Sequence, residues 1–252
     1  MAWFSFKGKR CDSQDVFCIL EKLPLDIRSE KITQIIEMPT SEPIVYEPGG
    51  YKQQVITLTV GIKDISMEHI HNINNWLTGS GKLIFSNQPD RHYIAVCYNA
   101  LSGTRMVEQM GRMPVQFTLM PFARENDDTF HEVELWTNAY GGKSGNTAGD
   151  ADHPNGTGPS RPTMKIYFNG LTSLHMTHHA TYTDIDVDLT GLSDYIIFDC
   201  QNCKVYDKDN NVILNRVVGN IDAIITPGNN NGTFDFSAGI TRVDCIFNRR
   251  WL

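Results

Sequence analysis

Long apolar runs are missing from this chain of 252 residues: no stretch of about 18 apolar residues occurs, so no membrane span is expected. Basic charge is also in short supply. Twenty-two Lys and Arg stand against 29 Asp and Glu, for a net charge of −7. With no basic stripe, a dedicated binder of nucleic acid or anionic membrane is excluded. Cysteine is sparse, with six in the whole chain, too few for a disulfide scaffold, so reduced thiols are expected. The first residues, Met1 to Phe6, are apolar but are soon broken by Lys7, Lys9 and Arg10, which does not read as a secretory leader. Catalytic signatures are missing too. There is no Gly-x-Ser-x-Gly elbow, and Glu132 with Glu134 is a local carboxylate pair that nothing sets across a cleft. No enzyme, catalytic residue, cofactor or metal is expected.

What the chain does have is short β patterning and one helix. Val55–Ile62 alternates, with Ile56, Leu58, Val60 and Ile62 on one face and Thr57, Thr59 and Gly61 on the other, as in a half-buried strand. Between Ile65 and Tyr98 a helix pattern runs straight into a hairpin pattern. Ser66 suits an N-cap, Glu68 suits the first turn, and Met67, Ile70, Ile73 and Leu77 fall at helical spacing beside Trp76. Gly79 and Gly81 end the helix. Lys82–Phe85 and His92–Tyr98 read as strands around a turn at 87–90. Earlier, Val16–Leu20 and Ile32–Met38 are short apolar strands, and Glu47-Pro48-Gly49-Gly50 is a turn cluster. Met113–Leu119 is another alternating strand, which Pro114 marks as an edge.

The second half is patterned as strands throughout: Met164–Phe168, Leu174–Thr183, Ile185–Leu189, Tyr195–Cys200, Lys204–Tyr206, Val212–Val217, Ala223–Thr226, Thr233–Phe236 and Thr241–Phe247. Strands this short, divided by turn residues, indicate a sandwich or barrel. The expected fold is therefore mainly β with one helix. An N-terminal domain at 1–124 is followed by a second at 125–252, which holds a polar, mobile loop at 141–160.

Several constellations resemble sites and read better as ordinary surface. Cys200 and Cys203 form a single C-x-x-C without the second pair that zinc needs, or the helix N-terminus that a redox thiol needs. His175 and His179 share a strand face opposite His178, with no local ligand to complete a metal site. Asp184, Asp186 and Asp188 begin like a calcium loop, but Leu189 and Tyr195 stand where it needs glycine and glutamate. Gly142-Lys143-Ser144 ends like a phosphate loop whose first glycine would fall on Thr137.

Taken in order, several segments resemble one family. They are Phe6-Lys7-Gly8-Lys9, Pro48-Gly49-Gly50 before an alternating strand, Trp76-Leu77 ending a helix, the hairpin Lys82–Phe85 with Asp90–Tyr93, and Phe117–Phe122. Pro162–Gly170, Tyr195–Tyr206, Pro227–Asn230 and Arg249–Leu252 continue the series. The whole chain in this way resembles the distal tail (Dit) proteins of siphophages. It departs from their pattern at Cys11, where Ser is usual, and in the loop at 141–160.

The resemblance implies an N-terminal β-sandwich with a helix and a projecting hairpin, and a C-terminal galectin-like β-sandwich. It implies a structural virion protein of the phage tail tip, a baseplate hub assembled in the host cytoplasm. Six copies would form a ring that lets DNA pass. Its partners would be the tail tube protein, the tail-associated (Tal) protein and, in some phages, receptor-binding proteins used in host adsorption, with no membrane insertion. The segment 82–98 is then the expected contact with the next copy. The alternative is a lectin-like protein for cell-wall attachment, with Trp136, Tyr140 and Trp251 stacking on sugar.

Overall fold

In the computed structural model, residues 2–25, 27–39, 42–98, 104–107, 110–138, 141–146, 156–224 and 232–251 are described. The chain divides into two units, one ending at Asn126 and the other beginning at Asp127. No helix among the described residues is long and apolar enough to cross a membrane.

Unit 1 contains β1 (Phe4–Phe6), β2 (Lys9–Arg10), β3 (Cys18–Leu20), β4 (Gln34–Ile36), β5 (Ile44–Tyr46), β6 (Gln54–Ile62), α1 (Met67–Trp76), β7 (Gly79–Phe85), β8 (Gln88–Cys97), β9 (Thr104–Val107) and β10 (Met110–Glu125). Its main sheet runs β2-β1-β7-β8-β10-β6-β3, with β9 also on β10. Lys7 and Gly8 both have positive φ (52° and 76°), the geometry of a type I′ turn between β1 and β2. Phe6 and Phe117 meet edge-on at 5.1 Å between ring centroids. Their strands are three places apart, about 14 Å on a flat sheet. The sheet must therefore curl around its core, in which Phe4, Leu83, Val115, Phe117 and Leu119 are fully buried.

Helix α1 lies against this aromatic core. The Ser66 hydroxyl accepts the His69 N–H at 3.3 Å, and the Asp64 carboxylate accepts the Ser66 N–H at 2.8 Å. Trp76 stacks on Phe4 at 5.5 Å and donates its indole N–H to the Phe6 carbonyl at 2.8 Å. The buried stripe is Ile73, Trp76 and Leu77; Met67, expected in it, faces solvent. It lies in the first turn, where the helix has not yet met the sheet. Gly79 has the positive φ (94°) expected after a helix, but it opens β7, as Gly81 does within it.

The β7–β8 hairpin turns at Ser86-Asn87 rather than at 87–90, because Gln88 already pairs with Phe85. Both strands lie inside the sheet, between β1 and β10. Pro114 sits in the longest strand, not on an outer one. Here β10 pairs with β6 from Gly111 to Leu119 but with β8 only from Thr118 on, so Pro114 lies on a stretch of β10 that outruns β8.

Unit 2 contains β11 (His131–Glu132), β12 (Leu135–Thr137), β13 (Lys143–Asn146), β14 (Thr163–Phe168), β15 (Ser173–His178), β16 (Thr183–Asp188), β17 (Tyr195–Asp199), β18 (Lys204–Tyr206), β19 (Val217–Val218), β20 (Thr233–Phe236) and β21 (Ile240–Ile246). They form two sheets, β11-β21-β14-β17-β18 and β12-β13-β20-β15-β16-β19. One hydrophobic core draws on both: Met164, Ile166, Phe198 and Val243 from the first, Met176, Ile185, Val187 and Phe234 from the second. This is a β-sandwich with alternating inward positions.

Three expectations give way here. The apolar run 174–183 is two strands, because residues 179–182 turn and Tyr182 takes a positive φ of 49°. Leu214–Arg216 is a 3-10 turn, and only Val217–Val218 pairs as strand. The loop placed at 141–160 contains β13, whose Gly145 and Ser144 pair with Leu135 and Trp136 on one side and with Phe234 and Asp235 on the other. Its polar composition conceals an interior strand, because one face is closed by small residues: a Cβ on Gly145 would lie 2.9 Å from Leu135.

Candidate functional site

Two features of the described residues stand out as surfaces for binding, one in each unit. In unit 1, β4 and β5 form a sheet of their own, paired Gln34 to Tyr46, Ile35 to Val45 and Ile36 to Ile44. The ladder continues outside the strands through Ile32 N–H to Gly50 O at 3.1 Å, Lys52 N–H to Glu30 O at 2.8 Å, and a bridge between Lys31 and Tyr51. Every residue of 30–39 and of 42–50 is exposed. Ile35 is 69%, Val45 60%, Ile44 52% and Tyr46 51% exposed, on both faces of the hairpin. A two-stranded hairpin is marginal in water alone, and an exposed apolar one offers itself to a partner.

The arm's base is well anchored. Tyr51 packs edge-on against Phe122 at 5.1 Å, the Ser29 hydroxyl bonds the Pro121 carbonyl, and Lys52 pairs with Glu30 at 3.1 Å. Ile19 in β3 and Val55 in β6 are 42% and 57% exposed on the outer face of the main sheet, and the register Ile19 to Gly61 sets them about 20 Å apart along the strands. By contrast Lys82–Tyr98, the segment expected to reach a neighbouring copy, is interior to its sheet. Leu83, Phe85, Tyr93, Ala95 and Cys97 are buried there, and Arg91 bonds its neighbour Asp90 at 3.2 Å.

In unit 2, a groove of about 600 Å³ is lined by Asn138, Gly142, His175, Thr177, Asp235, Phe236, Ser237 and Ala238. Register puts Trp136, Ser144, Asp235, Thr177 and Asp184 in one row across five strands, all on the outer face. Gly142 makes the near wall possible: a Cβ there would lie 2.1 Å from the Phe236 carbonyl oxygen. The polar groups hold one another. His175 Nδ1 is 2.8 Å from Asp186, Thr177 donates to Asp184 at 2.7 Å, Ser144 donates to Asp235, and His179 Nε2 is 2.9 Å from Asp235.

The other sequence candidates have plain structural settings. His178 is fully buried, tilted against Phe234 at 4.5 Å with Nδ1 2.6 Å from the Thr181 hydroxyl. Burial pushes it down to about 4, with the neighbouring His179 adding to the shift. Asp188 caps a turn by accepting the Thr190 N–H at 2.9 Å. Cys200 is buried in the core, and burial pushes its thiol far up. Cys203 stands in the turn with φ 53°; desolvation and the nearby Asp222 raise its thiol too. Neither sulfur is primed as a thiolate. Among the described residues no three His, Cys, Asp or Glu side chains group as a metal site. Trp136 is 46% exposed and Trp251 is half-buried, while Tyr140 lies outside the described residues. Sequence reading missed both surfaces. The arm read only as a short apolar strand at Ile32–Met38, and the groove depends on a register across β12, β13, β20 and β15 that no local pattern encodes.

Residues 49–119 match the phage tail protein RIFT-related domain family. The matched segment includes β6, α1, β7 and β8. The chain as a whole has the fold of the Dit protein of phage SPP1, at a TM-score of 0.71 and 10% identity, with 100% of each chain covered. That protein is described as a paradigm of the hub adsorption apparatus in phages infecting Gram-positive bacteria. The resemblance to the distal tail proteins, drawn from ordered short segments, is supported by both findings. No curated protein matches the chain.

Proposed function

We propose that this chain is a structural hub of a siphophage tail tip, in which unit 1 joins six copies into a ring and the ring links the tail tube to the adsorption apparatus. The observation that carries the reading is the β4–β5 arm: a hairpin apolar on both faces, fixed at its base to a unit whose residues 49–119 match a phage tail protein domain family. A ring interface is heterologous, so one patch must meet a different patch on the next copy. The arm supplies the first patch, and the outer face of the main sheet at Ile19 and Val55 supplies the second. Main-chain pairing along the free edge of β3 or β6 would add hydrogen bonds in trans.

In this reading the partners are the tail tube protein, the tail-associated protein and receptor-binding proteins, and the ring's bore passes DNA. The net charge of −7 suits a channel that must not hold DNA, since like charge prevents sticking. The protein would work in the virion, after assembly in the host cytoplasm, and would have no catalytic role. Electron microscopy of the purified full chain tests this. Six-membered rings with an open bore are expected. Rings of another order, or particles without a bore, would overturn the hub reading.

A further inference from the structure

We propose that the groove on the outer face of β12, β13, β20 and β15 binds a neutral saccharide, with Trp136 as the stacking surface and His175, Thr177, Asp235 and Ser237 meeting its hydroxyls. The groove's volume of about 600 Å³ falls in the range of small-ligand sites. Its accessible surface is more apolar than polar, with Gly142, Phe236 and Ala238 in the wall, and it carries hydroxyls at Thr177 and Ser237, an imidazole at His175, a carboxylate at Asp235 and an amide at Asn138. Such a set can both give and accept hydrogen bonds, as a polyol requires. No Lys or Arg lines it, and Asp184 and Asp186 stand next to it, so phosphate and other anions are disfavoured.

The groups are also held in place before any ligand arrives. Asp235 is fixed by Ser144 and His179, His175 by Asp186 at 2.8 Å, and Thr177 by Asp184 at 2.7 Å. The Ser237 N–H donates to the His175 carbonyl at 2.9 Å, and the Ser237 hydroxyl accepts the His175 N–H at 3.2 Å, which locks the two strands at the groove. Preorganised polar groups lose less freedom on binding. Trp136 shares the cross-strand row with Asp235, two strands away, or about 10 Å. That spacing lets a pyranose rest its apolar face on the indole while the next ring enters the groove. An exposed indole beside an apolar wall set with a few hydrogen-bonding groups suits the apolar face and the hydroxyl rim of a sugar.

The inference concerns unit 2 alone, so its failure leaves the ring reading untouched. The test is binding of the full chain to an immobilised array of neutral hexose and N-acetylhexosamine oligosaccharides, with sialylated and phosphorylated counterparts in parallel. Binding to neutral members is expected, falling at least about tenfold in Trp136→Ala and in His175→Ala with no change in melting temperature. Lys204→Ala, on the other sheet, should bind as the parent does. No binding to any neutral member, a preference for the anionic ones, or full binding by both groove variants would overturn the proposal.

Discussion

Trp76 shows how much one side chain can join. Its ring stacks on Phe4, and its N–H satisfies the carbonyl of Phe6, so it ties α1 to β1 by packing and by a hydrogen bond. Trp76→Phe keeps most of the packing and removes the bond, and should cost about 1–2 kcal/mol by chemical denaturation. Trp76→Ala also opens a cavity and should cost about 3–5 kcal/mol. His178 makes a second residue-scale case. Buried among Phe234 and the core of unit 2, it stays neutral, with its proton affinity lowered to about 4. The unfolded chain, with an ordinary imidazole near 6.5, binds more protons between those values. The stability of unit 2 should therefore be full above about pH 6.5 and fall as pH drops toward 4. In His178→Phe the fall over that window should shrink, as melting temperatures measured from pH 4 to 7 would show. Strand alternation put His178 on the face opposite His175, and the structure shows that face to be the inner one. What the sequence could not show was that His175 and His179 would each find a carboxylate, Asp186 on β16 and Asp235 on β20, because those partners come from register across strands.

At the scale of elements, local patterning was readable and neighbours were not. The alternation in β6, the N-cap at Ser66 and the strands Lys204–Tyr206 and Thr233–Phe236 stand where the sequence puts them. The strand expected at Ile32–Met38 is present as β4, but its pattern did not show that it would stand exposed. Apolar composition says that a strand wants cover, not where the cover comes from. The hairpin 79–97, which the family resemblance implied would project, is held inside the sheet by Leu83, Phe85 and Ala95. These contrasts make a mutational prediction. Leu83→Asp should prevent folding of unit 1, seen as lost cooperative melting, because a buried charge has no partner there. Ile35→Asp with Val45→Asp should leave cooperative melting intact, because both sites already face water.

For the whole molecule, the two units carry different chemistry. Unit 1 shows an exposed apolar arm; unit 2 shows a groove whose mostly apolar wall carries Asp235, His175 and hydroxyls. The chain's β class could be read from turn residues and short strands, but the exposed apolar arm became visible only with exposure mapped onto the fold. Each large apolar side chain buried on association stabilises it by about 1.5–3 kcal/mol. Losing Ile35 and Val45 should thus weaken each contact by at least roughly a hundredfold. The most direct measurement is the mass of the full chain by light scattering across a concentration series, with the parent beside Ile35→Asp/Val45→Asp. Six chains per particle for the parent, and single chains that still melt cooperatively for the variant, are the expected results. A parent that stays a single chain at every concentration, or a variant that keeps the six-chain mass, would contradict the account.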